Sequence, residues 1–473
     1  MMKKNLLKKL LCISLVLVSL LTPAAAAQKS KNASIPGTPT NVPAELQIDW
    51  NHRYTFAELE GQLQAMAKAY PKLTDLYSIG TSWQERDLWC LEITGNTGNK
   101  DNKTGIGVIA NIHGGERESA ASAMYTAWWF LLNSDTAYVK NILKNYVLYI
   151  VPVMNPDGYE QSFVNNNRPN LRPTDHNGNG VPFSDPYTDI NGDTFISTLY
   201  RGTPTQIDTK AKFGMESPDW DKNGVLGDDP RSSGIDMNRT FDYQWNRYDI
   251  ETAVNGYDSN QVGQHAWSSG GTAPATEPEV KAIQSFLYNT PMHAMATLHT
   301  GIQCVLYPWC YRAYDENNPK DADIPFMKET AAKMCAAWAD GAKSDCYTMD
   351  SYHDYITSAE MIDYAYGRLG IHAYTIEVYD GSKWEDTPKT KDVYYTYDQL
   401  KAMGLDVANI KDADGKGLAE GEGLWFRTSA RDQMVHRAPE HQDQMCEGTL
   451  QSILVMIGSE PHGDGAQVPR YVR

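Results

Sequence analysis

Residues 105–116 read GIGVIANIHGGE, and this stretch decides the fold. Its first eight residues are a continuous apolar, β-branched run, the pattern of a strand covered on both faces. Two glycines break the run after His113, and Glu116 opens SAASAMYTAWWFLL (119–132), which reads as a buried helix. A strand that passes through Gly-Gly into a helix puts His113 and Glu116 at the carboxyl edge of a sheet. In open α/β sheets that edge is where ligands bind.

Working outward, LWCLEIT (88–94), YVLYIVPVM (146–154), AMATLH (294–299) and AYTIEV (373–378) read as further strands. Helical spacing falls between and around them. Phe56, Leu59, Leu63 and Met66 recur at it in 54–70, and two more such segments are EPEVKAIQSFLYN and PFMKETAAKMCAAWA. A last helix over roughly 440–457 presents Met445, Leu450, Ile453, Leu454 and Ile457. Strands alternating with helices predict one open α/β sheet with helices on both faces. Residues 165–233 depart from the pattern. They are rich in Asn, Asp and Gly, with little apolar periodicity, and read as a long acidic insertion without a core of domain size. The chain therefore divides into a leader (1–27), a flexible Ser/Thr/Pro/Asn-rich tail (28–48), one catalytic-size domain (49–460) and a short C-terminal tail (461–473).

The leader has Lys3, Lys4, Lys8 and Lys9, an apolar run from Leu10 to Leu21, then Pro23 and four alanines. That is a secretory signal peptide, too short to cross roughly 30 Å of hydrocarbon. A secreted product, extracellular or periplasmic and without a membrane span in its mature form, is expected. The formal net charge of −17 becomes more negative once those lysines are removed, which argues against nucleic-acid partners and anionic membrane surfaces. Outside the leader, Cys90, Cys304, Cys310, Cys335, Cys346 and Cys446 are free to pair in an oxidising compartment. Cys335 with Cys346 is the local candidate. No CxxC occurs, so the chemistry is not cysteine-based.

His113-x-x-Glu116 offers an imidazole and a carboxylate, good zinc ligands, and a catalytic zinc needs one more protein ligand and an open position. His299 qualifies because it too ends a strand. A lone histidine there would more often be a core residue; three such residues at strand ends are a constellation.

These residues stand in a fixed order with NPDG (155–158), GIDMNR (234–239), His299-Thr300 and TIEVYD (375–380). In that order the chain resembles the zinc carboxypeptidases of the carboxypeptidase A type, over roughly 50–458. The resemblance implies a mixed, eight-stranded metallocarboxypeptidase-like sheet and a single catalytic zinc held by His113, Glu116 and His299. It implies that Asp236 orients the first histidine, that Asn238 and Arg239 grip a substrate's terminal carboxylate, and that Glu377 is the catalytic carboxylate. Counting back from Glu377, Tyr355 matches the substrate-capping tyrosine and Ile362 the residue that sets side-chain preference. An apolar residue there favours apolar or aromatic C-terminal residues. Cys310, eleven residues after His299, falls near that pocket in place of the small residue expected. The family's oxyanion arginine has two candidates, Arg168 and Arg172, of which Arg168 is chosen. Gly115 replaces an arginine before the zinc glutamate, and no activation domain is expected between leader and catalytic region.

Three acidic loops in the insertion put oxygens at alternate positions: Asp175, Asn177 and Asn179; Asp189, Asn191 and Asp193; Asp219, Asp221 and Asn223. They resemble the first half of a calcium loop, and at least one bound structural calcium is expected, although none has the glutamate at position twelve. The function that results is a secreted, monomeric zinc metallocarboxypeptidase acting on peptide or protein C-termini. Its rivals are a cell-wall γ-glutamyl-diamino acid peptidase on the same scaffold and a catalytically inactive binding or adhesion protein.

Overall fold

A computed structural model of the chain describes residues 34–97, 100, 102–164, 168–173, 189–216, 219, 222–226, 234–245, 273–381, 389–429 and 438–461. The leader and the last twelve residues lie outside them. Eight strands form the main sheet: β1 (Thr74–Thr81), β2 (Asp87–Ile93), β3 (Thr104–Ala110), β4 (Tyr146–Val151), β7 (Met292–His299), β8 (Gln303–Tyr307), β9 (Tyr347–Asp350) and β10 (His372–Val378). Their order is β1-β2-β4-β3-β7-β10-β8-β9. The four central strands, β4, β3, β7 and β10, run parallel, whereas β2 pairs antiparallel with β1 and β4, and β8 with β10. The sheet is mixed and open, as expected. Every residue of β3 and β4 is buried. Successive side chains point to opposite faces, so both faces must be covered, and that is why these strands read as unbroken apolar runs.

Helix α2 (Arg117–Leu132), α6 (Ile324–Ala342) and α10 (Gln442–Ser459) pack side by side over the sheet. Two more, α5 (Pro278–Asn289) and α8 (Met361–Leu369), touch it at β1 and β10. The first helix, α1 (Phe56–Ala69), starts where the sequence dictates. Thr55 accepts from the Glu58 backbone N–H while the Glu58 carboxylate accepts from that of Thr55, a reciprocal cap. The helices α3 (Ala137–Asn145), α4 (Pro156–Gln161), α7 (Ser351–Asp354) and α9 (Tyr397–Ala402) are short connectors. Among the described residues, no helix is long and apolar enough to cross a membrane.

Two expectations are corrected here. Residues 34–48, read as a flexible tail from their composition, lie on α2. Leu46 is buried, its carbonyl accepts from Trp128 Nε1 at 2.8 Å, and the carbonyl of Gly37 accepts from Asn133 at 3.4 Å. The insertion, read as coreless, contributes β5 (Thr198–Thr203) and β6 (Gln206–Met215) to a second, four-stranded antiparallel sheet. Its partners β11 (Lys391–Tyr395) and β12 (Leu424–Thr428) come from a stretch after β10 that was not singled out at all. Leu199, Phe213, Leu226, Leu400, Val407, Ile410, Leu418, Leu424 and Phe426 form its own apolar cluster. Three of its nine members, Leu199, Phe213 and Leu226, lie some 200 residues from the other six, so no local window shows it.

Phe426, which is 1% exposed and stacks edge-on against Tyr395 with ring centroids 4.9 Å apart, anchors the small core. Phe426→Ala is expected to weaken it by about 3–5 kcal/mol. Limited proteolysis should then cut within 189–226 or 389–429 under conditions where the wild-type chain resists. Equal resistance would show that this cluster does not hold the small sheet.

Candidate active site

The edge formed by the carboxyl ends of β3, β7 and β10 gathers the expected chemistry. At the end of β3 the chain must turn sharply. Asn111 does this in the left-handed region (φ 57°), which asparagine tolerates better than most residues. Its Nδ2 donates to the carbonyls of His113, Gly114 and Glu116 at 3.0, 3.2 and 3.1 Å. A second asparagine, Asn155 of the NPDG turn, donates Nδ2 to the carbonyls of Ile112 and Pro169, both at 3.1 Å. Gly114 rests directly on Gly158, where an added Cβ would lie 2.2 Å from the backbone. NPDG is therefore a clamp that fixes the His113 loop, a role its turn-like composition did not disclose. Asp157 of the same turn is buried and bound by Ser82, the Gln84 N–H and Arg86.

Within this frame His113, Glu116 and His299 bring one ligand atom each to within 4.8 Å of one another. Glu116 presents one oxygen to His113 Nδ1 at 2.8 Å and the other to His299 Nδ1 at 3.2 Å. All three side chains are buried. Burial by itself would raise the Glu116 carboxyl, but the two imidazoles outweigh it and hold the group well below the ordinary carboxylate range. His299 is pushed down by burial, against the pull of Glu116, which favours the neutral imidazole that ligates metals. Two ring nitrogens and a carboxylate, dry and converging, make the donor set of a catalytic zinc. Among the described residues it is the only such group of three.

Asp236 lies behind the cluster. It is fully buried and accepts from His113 Nε2 at 3.1 Å, Arg168 Nε at 2.9 Å and the backbone N–H of Asn238 at 3.0 Å. Burial disfavours its charge, but Arg168, His113 and Arg239 more than compensate and keep it ionised. Arg168 also reaches to 3.5 Å from Glu116. Arg172, the other oxyanion candidate, instead pairs with Glu277 at 3.4 Å.

Glu377 lies directly across from His299 in the parallel β7–β10 ladder and across from Cys304 on β8. Asn238 accepts from the Met361 N–H at 3.0 Å and so ties the 236–239 turn to the start of α8. Arg239 donates to Tyr355 Oη at 2.9 Å and stacks over that ring at 5.6 Å. Its other nitrogen donates to a residue the sequence reading passed over, Glu360, at 2.9 Å. Ile362 is buried in the first turn of α8, and Cys310 is buried with its N–H shared between the two oxygens of Asp363 at 3.0 and 3.1 Å. Burial, reinforced by Glu360, pushes the Asp363 carboxyl up to about 8, and the Cys310 thiol is raised by the same surroundings. A charged residue between Tyr355 and Ile362 was the available signal for Glu360.

Of the calcium expectation, Asp175, Asn177, Asn179 and Asp221 lie outside the described residues. In the loop that is described, the oxygens of Asp189, Asn191 and Asp193 accept from the backbone N–H groups of their own turn, including Gly192, Asp193, Thr194 and Phe195. This is the Asx-turn arrangement that Asp and Asn adopt in loops without any ion. Asp219 likewise accepts from the Gly224 N–H at 2.9 Å and Asn223 from that of Val225 at 2.6 Å. Calcium finds no support here. Cys335 and Cys346, the local candidate for a bridge, lie against one another but as hydrogen-bonded thiols, not as the disulfide expected.

Such a sheet edge, with a buried His/Glu/His set and a carboxylate on the neighbouring strand, belongs to the α/β metallohydrolase class. The zinc carboxypeptidase family model matches residues 59–401, and the chain belongs to that family. It is 24% identical over 351 residues to zinc carboxypeptidase A 1 of Anopheles gambiae, covering 73% of this chain and 64% of that one. To carboxypeptidase B of Astacus astacus it is 24% identical over 339 residues, 70% of this chain and 88% of that one. To carboxypeptidase D of Mus musculus it is 32% identical over 129 residues, 27% of this chain and 9% of that one. The chain thus spans less than two thirds of the length of the mosquito and mouse relatives. Among solved structures the fold is similar to that of thrombin activatable fibrinolysis inhibitor, with a TM-score of 0.54 at 16% identity over 88% of this chain and 79% of that one. It is also similar to carboxypeptidase A from Helicoverpa armigera, with a TM-score of 0.50 at 18% identity over 73% and 69%.

If Asp236 orients a ligating histidine, Asp236→Asn removes the charge that fixes the imidazole tautomer. Zinc affinity, measured by chelator competition, should fall about 10- to 100-fold. Unchanged affinity would assign Asp236 a purely structural role.

Proposed function

We propose that the chain is a secreted zinc carboxypeptidase that removes single residues from peptide C-termini. The observation that carries this reading is the convergence of His113, Glu116 and His299 at the sheet edge, with Glu377 in register beside His299. His113 Nδ1, Glu116 and His299 Nδ1 would hold the metal. When bound there, zinc supplies Lewis-acid activation of a carbonyl and a lowered water pKa. Glu377, fixed by the β7–β10 ladder, takes a proton from the attacking water and delivers it to the leaving amine. Arg168 is the guanidinium we assign to the negative charge developing on the carbonyl oxygen. Asn238 and Arg239 receive the terminal carboxylate, because a guanidinium fork holds a carboxylate in two charge-assisted bonds. Tyr355, already on Arg239, closes over it, and Ile362 supplies an apolar wall for the departing side chain. Export rests on the 1–27 leader.

Glu377→Gln is expected to retain about one zinc per chain, since Glu377 is not a ligand, while turnover falls by at least roughly 10²-fold. Loss of zinc in this variant would exchange the roles of Glu377 and Glu116.

Reading of the free terminus is tested by amidating it. A charge-assisted hydrogen bond contributes about 1.5–3 kcal/mol, so a peptide amide should be cleaved about ten- to a hundred-fold more slowly than the acid. Arg239→Ala should erase that difference. Equal rates on acid and amide in the wild-type enzyme would identify an endopeptidase.

A further inference from the structure

Away from the metal ligands and the substrate contacts, a cluster of buried carboxyls has no part in the proposed reaction. Glu277 immediately precedes α5 and Glu279 lies in its first turn. Both are fully buried, as are Asp157 of the NPDG turn and Asn170. The Asn170 amide stands between the two glutamates. Its Nδ2 donates to Glu277 at 2.8 Å and to Glu279 at 3.1 Å, so each of its two N–H bonds has a carboxyl of its own. Its Oδ1 accepts from the Ile235 N–H at 3.0 Å, and its backbone N–H donates to the Ile235 carbonyl at 3.2 Å. Trp83 closes the other side, with Nε1 on Glu277 at 2.7 Å and its backbone N–H on Glu279 at 3.4 Å.

The charges around this amide do not balance. Asp157 is paired with Arg86 at 2.7 Å, and Glu277 with Arg172 at 3.4 Å. Arg168 is committed to Asp236, Lys281 of α5 donates to the Thr276 carbonyl at 3.0 Å, and on the α8 side Arg368 pairs with Asp242. Among the described residues no cation pairs with Glu279. The amino end of α5 favours one negative charge, and Glu277, opposed by Arg172, supplies it. A second carboxylate, buried there without a cation, costs more than keeping its proton. Burial, with Asp157 and Glu277 acting in the same direction, pushes the Glu279 carboxyl up to about 7, against the hydrogen bonds from its own N–H and from Asn170.

We propose that Glu279 is held protonated on the acid side of neutrality and that this proton keeps Asn170 seated, making Glu279 and Asn170 positioning residues for Arg168 and Asp236. Asn170 lies two residues after Arg168, whose carbonyl accepts from the Gly114 N–H at 3.1 Å, and it pairs in both directions with the residue before Asp236. When the proton is lost, Glu279, Glu277 and Asp157 repel one another where little water screens them. The groups that share the Asn170 amide are pushed apart, Ile235 loses its two contacts to Asn170, and Asp236 is held less firmly against Arg168 and His113. The proposal rests on the carboxypeptidase reading above for its kinetic readout only.

The test compares the full wild-type chain with Glu279→Gln, which keeps the shape and an acceptor oxygen but cannot ionise, zinc content being verified in both. The ratio of variant to wild-type kcat/KM cancels every titration the two enzymes share. It is expected to rise about ten-fold between about pH 6 and about pH 8, the change in protonated fraction of one group titrating near 7. A ratio that stays flat, whether the variant is slower or not, overturns the proposal and leaves Glu279 a packing residue. Hydrogen exchange supplies the second readout. In the wild-type chain the amides of 168–170 and 234–239, corrected for intrinsic exchange, should lose protection over the same interval, and in Glu279→Gln they should keep it. Unchanged protection in the wild type overturns the proposal even where the variant fails to fold. A zinc-loaded enzyme that cleaves no peptide at any pH overturns the carboxypeptidase reading, and the exchange measurement then decides this proposal by itself.

Discussion

The buried carboxylate of Asp236 ties the site together. It holds the Nε2 of a proposed metal ligand, the guanidinium of Arg168 and the N–H that starts the turn carrying Asn238 and Arg239. A buried anion is tolerated only when paired and hydrogen-bonded. Here the partners are the groups whose relative positions the chemistry requires. Three segments far apart in sequence, 111–116, 168–170 and 234–239, are referenced to one atom group. The two asparagine clamps complete the frame by fixing the carbonyls of the His113 loop and joining it to Pro169. Gly234 belongs to the same frame: its φ of 134° and an Asn170 carbonyl 2.0 Å from any added Cβ leave room for glycine alone.

Much of this was legible in the sequence, and for a physical reason. The central strands are buried on both faces, so β3, β4, β7 and β10 announce themselves as apolar runs, and the residues that break the runs are His113, His299 and Glu377. The outer strands are another matter. β1 and β9, at the two edges, have almost no fully buried residue, and β8, although buried throughout, is only five residues long. None of the three was foreseen. α1 was visible because Phe56, Leu59, Leu63 and Met66 recur at helical spacing, and all four are buried. Arg168 and Arg172 were not separable by spacing, since the choice depends on Glu277 lying near one and Asp236 near the other.

Glu360 shows a different limit. One residue, Ile362, suggested an apolar pocket, yet its neighbour two positions back is a carboxylate held by Arg239. A pocket's preference follows from the sum of charges that face it, and that sum includes the group that anchors the substrate's own terminus. The wall at Asp363 reinforces the point. Its carboxyl, which accepts from the Cys310 N–H, is raised to about 8 chiefly by burial and next by Glu360.

The second sheet explains how such a site coexists with long additions to the chain. Its nine-residue apolar cluster shares no member with the main core. Each sheet therefore packs around its own set of apolar side chains. The described elements that bear His113, Glu116, His299 and Glu377 all belong to, or directly follow, strands of the main sheet. The additions enter between α4 and the 234–239 turn and after β10, outside the strands of the main sheet. Sequence reading took the Asn/Asp/Gly composition of the first addition as the absence of a core, whereas six of that core's nine residues are supplied by the second. A segment whose apolar residues look too few to fold is complete once its partner, two hundred residues away, pairs with it along β5 and β12.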